Sequence, residues 1–238
     1  MSNTATLLLD GNPLAFTPGD SIMQAAARAG HYIPHLCYHP ELGAHGSCRV
    51  CSVKVNGRLM ASCTTPAEAG MVVENLSDAI QQLRRRLVQM LFVEGNHFCP
   101  SCERSGNCQL QAVAYFVGMQ DSHFAHLYPQ RELDASHPEI LLDRDRCIQC
   151  ELCVRASREL DGKHVFALAG RGGKTQLVVD APSGLLKDST LTTSDRATHV
   201  CPVGAILIKR QGYTRPIGER LYDQATIACV GHHQPDEA

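Results

Sequence analysis

Eleven of the chain's twelve cysteines fall into three groups: Cys37, Cys48, Cys51 and Cys63; then Cys99, Cys102 and Cys108; then Cys147, Cys150, Cys153 and Cys201. That grouping constrains the fold more than any other feature, because tryptophan is absent and aromatic residues make up 5% of the 238. Apolar cores are expected to be modest, and modules of a few tens of residues need a metal or another staple to hold them. In an exported chain the staples would be disulfides, but Met1 to Asp10 shows no basic region, no apolar run of signal length and no twin arginine. A cytoplasmic location is the expectation, and there thiols stay reduced and act as metal or cluster ligands.

The first group has the spacing Cys-x10-Cys-x2-Cys-x11-Cys. A 2Fe-2S centre needs two thiolates per iron; the Cys48-x-x-Cys51 turn can aim both sulfurs at a common site, with the other pair drawn from further along. Gly43-Ala44-His45-Gly46-Ser47 lets backbone N–H groups approach the sulfurs, which is one lever on reduction potential. A Rieske centre is disfavoured, since Cys37-Tyr38-His39 supplies half of one but Cys51 stands where the second histidine belongs. His31, His35, His39 and His45 are therefore read as exposed loop residues, and zinc is the minor alternative for the thiols.

The third group is the most specific. Its Cys-x-x-Cys-x-x-Cys run and distant Cys201-Pro202 match half of a bacterial 4Fe-4S ferredoxin motif. Where a two-cluster ferredoxin has its next cysteine this chain has Ser157, so a single cubane on Cys147, Cys150, Cys153 and Cys201 is expected. The second group, by contrast, is one ligand short of a cubane. His97 is the nearest candidate to complete Cys99, Cys102 and Cys108; an open iron site, a 3Fe-4S cluster or a ligand from elsewhere are the alternatives. Cys229 is left over and reads as a small buried or tail thiol.

Between these groups the chain reads as α+β. Segments 5–9 and 14–16 flank Asp10-Gly11-Asn12-Pro13 as a hairpin, Ser21 or Asp20 caps a helix closed by Gly30, and Asn56-Gly57 marks a second hairpin. A helix from Ser77 to about Val93 carries Ile80, Leu83, Leu87, Leu91 and Phe92, with Arg84-Arg85-Arg86 read as a solvated face. Further helices are expected over 109–117 and 151–159, and a hairpin over 165–169 and 176–180, with Arg171-Gly172-Gly173-Lys174 as its turn. A net charge of -2 with interspersed signs gives no footprint for nucleic acid, and no apolar run reaches the ~18 residues of a membrane span.

The order of a Cys-x10-Cys-x2-Cys-x11-Cys site, a His/Cys3 site and a ferredoxin-like cubane resembles the N-terminal part of the large iron-sulfur subunit of respiratory complex I, over residues 5 to 210. In that pattern the histidine lies four residues before the first cysteine, a position held here by Gly95; a loop two residues shorter would preserve the ligand as His97. In its short form, and in the run Glu94-Gly95-Asn96-His97-Phe98-Cys99-Pro100-Ser101-Cys102, the chain is similar to the small diaphorase (gamma) subunits of cytoplasmic NAD-reducing nickel-iron hydrogenases. The resemblance implies a 2Fe-2S ferredoxin-like (β-grasp) domain over 1–78, a His/Cys3 4Fe-4S domain over 79–118, a linker over 119–138, a 4Fe-4S ferredoxin-like domain over 139–211 and a C-terminal tail over 212–238 whose Pro235-Asp236-Glu237 end is mobile. It also implies an electron relay without a substrate site of its own, between an FMN- and NAD-binding flavoprotein, the large diaphorase subunit, and the small and large nickel-iron hydrogenase subunits. A relay in another NAD-linked complex such as a formate dehydrogenase, or a free-standing multi-cluster ferredoxin, is the alternative.

Overall fold

The computed structural model describes residues 5–231, so the Pro235-Asp236-Glu237 end of the expected tail lies outside the described residues. Two hairpins form where the turn chemistry demands them. Thr6–Leu9 (β1) and Asn12–Ala15 (β2) are joined through Asp10 and Gly11, at φ 49° and 81°, and Ser52–Val55 (β3) and Arg58–Ala61 (β4) through Asn56 and Gly57, at φ 47° and 84°. Two successive left-handed residues give a turn whose twist matches that of the flanking strands.

Between the hairpins, Ile22–Arg28 (α1) starts on a capping box: Ser21 accepts from the Gln24 backbone and the Gln24 side chain accepts from the Ser21 N–H. Sequence reading missed the strand that unites them. Val72–Glu74 (β5) runs parallel to β1 and antiparallel to β3, giving a five-stranded sheet of order β2-β1-β5-β3-β4. Leu7, Leu9, Leu14, Val53 and Val73 from the sheet bury against Ile22, Ala25 and Ala26 of α1.

Asp78–Glu94 (α2) leads away from this sheet and packs against Gln109–Phe116 (α3). Its arginine run is not a solvated face. Arg84 is fully buried and donates to the Asn75 carbonyl at 2.8 Å, the Asn75 Oδ1 at 2.7 Å and the Ser52 carbonyl at 2.9 Å. Arg85 donates to Val117 O, while Arg86 pairs with Gln89 Oε1. The apolar positions of α2 alone do not define its buried stripe, which is Ile80, Arg84, Val88, Gln89 and Val93.

The remainder is built on a second, larger core. Leu133–Asp134 (β6), within the expected linker, pairs with Ile140–Asp143 (β7), which in turn pairs with Ile206–Ile208 (β10), all antiparallel. Leu152–Glu159 (α4) is followed by the hairpin Phe166–Ala169 (β8) and Gln176–Val179 (β9), whose turn contains Gly172–Lys174 as expected. Arg196–His199 (α5) precedes β10, and Ile227–Val230 (α6) packs on α3. Leu36, Cys37 and Val50, from the cysteine loop between α1 and β3, belong to this larger core together with Leu110, Leu152 and Val203. Among the described residues no helix is long and apolar enough to cross a membrane.

Candidate metal centres

None of the twelve cysteines is in a disulfide, and the thiols of the first group approach in two pairs. Cys37 stands with Cys48, whose backbone N–H points to Cys37 Sγ at 3.4 Å, and Cys51 Sγ lies 3.4 Å from Cys63 Sγ. The pairing therefore crosses the Cys48-x-x-Cys51 turn instead of following it, which corrects the expectation that the turn supplies one pair. Within each pair the contact between the two sulfurs draws one thiol down and pushes the other up, Cys37 against Cys48 and Cys51 against Cys63. Two pairs of two are the donor set for two irons. Among the described residues no group of three or more His, Cys, Asp or Glu side chains is placed to hold one metal ion.

The loop carrying the third group winds through left-handed backbone at Gln149 and Glu151, φ 55° and 60°, and the first group's Cys48-x-x-Cys51 does so at Arg49, φ 59°. Each such non-glycine residue costs about 1–2 kcal/mol, a cost the folded site must offset. Cys147, Cys150, Cys153 and Cys201 converge on one pocket whose other walls include Leu168, Leu177, Val203, Ala205 and Ile206. Burial pushes Cys147 up to about 11 and raises Cys150 and Cys153 well above the ordinary thiol range. Four thiols converging in an apolar pocket, three of them raised by burial, are a donor set suited to soft metal cations, whose binding deprotonates thiols.

In the second group burial pushes Cys108 up to about 12 and raises Cys99, with the neighbouring Cys102 adding to both shifts. Arg146, the residue before Cys147, reaches across to this group: its Nη1 lies 3.7 Å from Cys102 Sγ and 2.6 Å from Glu103 Oε2, and its Nε lies 2.8 Å from Asp143 Oδ2. His97 packs its ring against Phe92 at 5.4 Å, and its Nε2 is buried without a hydrogen-bond partner. Burial, with Arg146, His126 and Arg131 adding to it, draws its pKa down to about 4, so the imidazole is neutral, the form that binds metal. A Cβ on Gly95 would come within 2.6 Å of that same Nε2. The ring of His97 thus occupies the space into which a side chain at position 95 would project.

The remaining loop histidines divide. His31 and His45 are exposed, but His35 is 5% exposed, with Nδ1 2.8 Å from the Ile33 carbonyl, and His39 is half-buried beside Glu41. Cys229 is exposed and accepts a contact from Thr226 Oγ1 at 3.6 Å, the tail thiol of the two expected alternatives.

Sequence order is not spatial order. Arg155 of α4 donates to the Cys37 carbonyl at 2.8 Å and to Leu42 O at 3.0 Å, which ties the third group to the first. The third group also meets the second: Pro202 O accepts from the Gln109 backbone at 3.0 Å and lies 3.7 Å from Cys108 Sγ, and a Cβ on Gly204 would be 3.3 Å from Cys102 Sγ. The third group therefore stands in contact with both others. Neither arginine has a sequence signal that separates it from a surface residue.

Family models match along the chain in the same order: a 2Fe-2S iron-sulfur cluster binding domain over 2–78, the NADH-ubiquinone oxidoreductase-G iron-sulfur binding region over 84–123 and a 4Fe-4S single cluster domain over 140–208. The gamma subunit of the NAD-reducing hydrogenase HoxS of Cupriavidus necator is 43% identical over 93% of this chain and 94% of its own length. The chain belongs to that family. In three dimensions it superposes on a chain of an NAD+-reducing nickel-iron hydrogenase, crystallised in its H2-reduced state, with a TM-score of 0.92 and 51% identity, covering 94% of this chain and 96% of that one. The 78 kDa subunit of mitochondrial NADH-ubiquinone oxidoreductase from Candida albicans is 34% identical over 84% of the chain, which spans only 28% of that relative. The kinship with complex I read from the cysteine spacing is thus present, over a fraction of the complex I subunit.

Proposed function

We propose that the chain is the iron-sulfur electron-relay subunit of an NAD-reducing hydrogenase, with one 2Fe-2S cluster on Cys37, Cys48, Cys51 and Cys63 and two 4Fe-4S clusters. One cubane belongs to Cys147, Cys150, Cys153 and Cys201, the other to His97, Cys99, Cys102 and Cys108. The observation that carries this reading is the contact of the third group with both others, through Arg155 to the Cys37 loop and through Pro202 and Gly204 to Cys108 and Cys102. A relay needs its stations adjacent, and all three groups touch one another, since Gln109, next to Cys108, also donates to the His35 carbonyl of the Cys37 loop at 2.8 Å. The clusters, when bound, supply one-electron couples. The protein supplies sulfur ligands, apolar walls that keep water out, and N–H donors to sulfur from Cys48, Gln149 and Arg146, a recognised lever on potential.

The partners that follow are a flavoprotein holding FMN and NAD at one end and nickel-iron hydrogenase subunits at the other, with the whole complex coupling H2 oxidation to NAD+ reduction. Anaerobic analysis of the complex for iron, sulfide, flavin and nickel, with EPR, tests this. About ten irons per copy of this chain, after subtracting those of the partners, is expected from 2, 4 and 4. Iron and flavin without nickel would point to a different NAD-linked complex, and zinc without sulfide would end the relay reading.

A further inference from the structure

A cavity of about 480 Å3 opens between the 99–108 loop, the segment from Cys201 to Gly212 and the start of the C-terminal tail. That tail is itself anchored on the second group's loop: Tyr213 Oη donates to Ser101 O at 2.5 Å and the Tyr222 N–H to Gly106 O at 3.0 Å. Arg104, Arg196, Lys209, Arg210 and Arg215 line the cavity against one carboxylate, Glu103, which Arg146 already holds at 2.6 Å. Two of the five cations are also engaged, Arg196 with Glu41 at 2.6 Å and Lys209 with the Ala135 and His137 carbonyls. The guanidinium groups of Arg104, Arg210 and Arg215 make no ion pair or hydrogen bond among the described residues, and Arg104 Nε is buried without a partner.

Three unmatched guanidinium forks facing one space, in a chain whose net charge is -2, are complementary to carboxylates, which such forks bind in bidentate fashion. The neighbouring tail favours a protein over a small anion. Tyr213, between the lining residues Gly212 and Thr214, is 67% exposed, and Ile217, two residues beyond Arg215, is 85% exposed; aromatic and apolar anchors beside arginine are the composition of protein interfaces. Position adds a reason: Glu103 and Arg104 lie between Cys102 and Cys108, and Cys201 also lines the cavity, so an occupant sits beside the second and third groups together. We propose that this cavity docks an acidic, carboxylate-presenting segment of a partner redox subunit, an inference that rests on the relay reading above.

The test uses the whole complex carrying the double substitution Arg210→Glu and Arg215→Glu, both exposed and outside the cysteine groups. After gel filtration at moderate salt, the ratio of one cofactor-bearing partner to this chain, read as nickel or as flavin, is expected to fall about tenfold. Iron content and EPR signals of the chain itself are expected to stay unchanged, and Arg210→Lys with Arg215→Lys to retain the partner in large part. Full retention of both nickel and flavin by the charge-reversed complex would overturn the proposal, as would a variant that loses only bound inorganic phosphate. Failure of the relay reading is separately visible, as wild-type complex without sulfide-bound iron.

Discussion

Arg146 shows how one side chain serves two stations at once. It directly precedes Cys147, yet its guanidinium lies 3.7 Å from Cys102 Sγ and is held there by Glu103 and Asp143. A cation donating to sulfur favours the reduced, more negative cluster. Arg146→Gln is therefore expected to lower the potential of the cluster proposed on the second group by about 60 mV, the one-electron equivalent of a tenfold change in equilibrium constant, as read by EPR redox titration. An unchanged midpoint would remove Arg146 from that role. His97 and Gly95 form a second unit of this kind, since the ring fills the space a side chain at 95 would take. Gly95→Ala is expected to displace the imidazole at a cost of about 1–3 kcal/mol, and His97→Ala to leave the second centre labile, short of about one iron per chain. The nitrogen hyperfine coupling expected on that centre should vanish in His97→Ala; its persistence would assign the fourth ligand elsewhere.

At the scale of elements, α2 is set on the first sheet by a buried cation. Arg84 ties the helix to Asn75, just after β5, and to Ser52 at the start of β3, and burial lowers its pKa to about 10 while leaving it charged at neutral pH. Arg84→Met keeps the volume but leaves two backbone carbonyls and the amide oxygens of Asn75 and Gln81 without this donor. The expected loss is about 2–4 kcal/mol in chemical denaturation, with Arg86→Met, whose partner is a neighbouring glutamine on the same helix, as a near-neutral control. Equal effects at the two positions would show that α2 is placed by its apolar stripe alone.

Across the whole molecule, the modules are joined by the ligand loops themselves, because Cys37 and Val50 of the first module lie in the same core as Cys108, Cys153 and Cys201. Stability and cluster content should therefore fall together. Anaerobic removal of iron is expected to lower the melting temperature by about 10 °C or more, since buried thiols and left-handed loop residues then lose the ligation that offsets them. A scan of the stripped protein that superimposes on that of the intact one would refute this. Arg155→Met, which cuts the three-carbonyl link between α4 and the Cys37 loop, should slow electron transfer between the first and third groups while leaving each EPR signal in place.

What the sequence determined by itself was local or covalent in origin. Asp10-Gly11 and Asn56-Gly57 specify tight turns through their tolerance of left-handed backbone, Ser21 and Gln24 specify a helix start, and the cysteine intervals specify which thiols can meet. Tertiary structure decided everything that depends on which segments lie side by side. Three residues of β5 carry too little pattern to be legible, yet they fuse two hairpins; Arg84 reads as part of a solvated face, and Arg155 carries no signal, until the neighbouring carbonyls are known. The same holds for the pairing of Cys37 with Cys48 and Cys51 with Cys63, and for the contacts of the third group with both others. Spacing limits how far apart sulfurs can be, but long-range packing alone chooses among the arrangements that spacing allows.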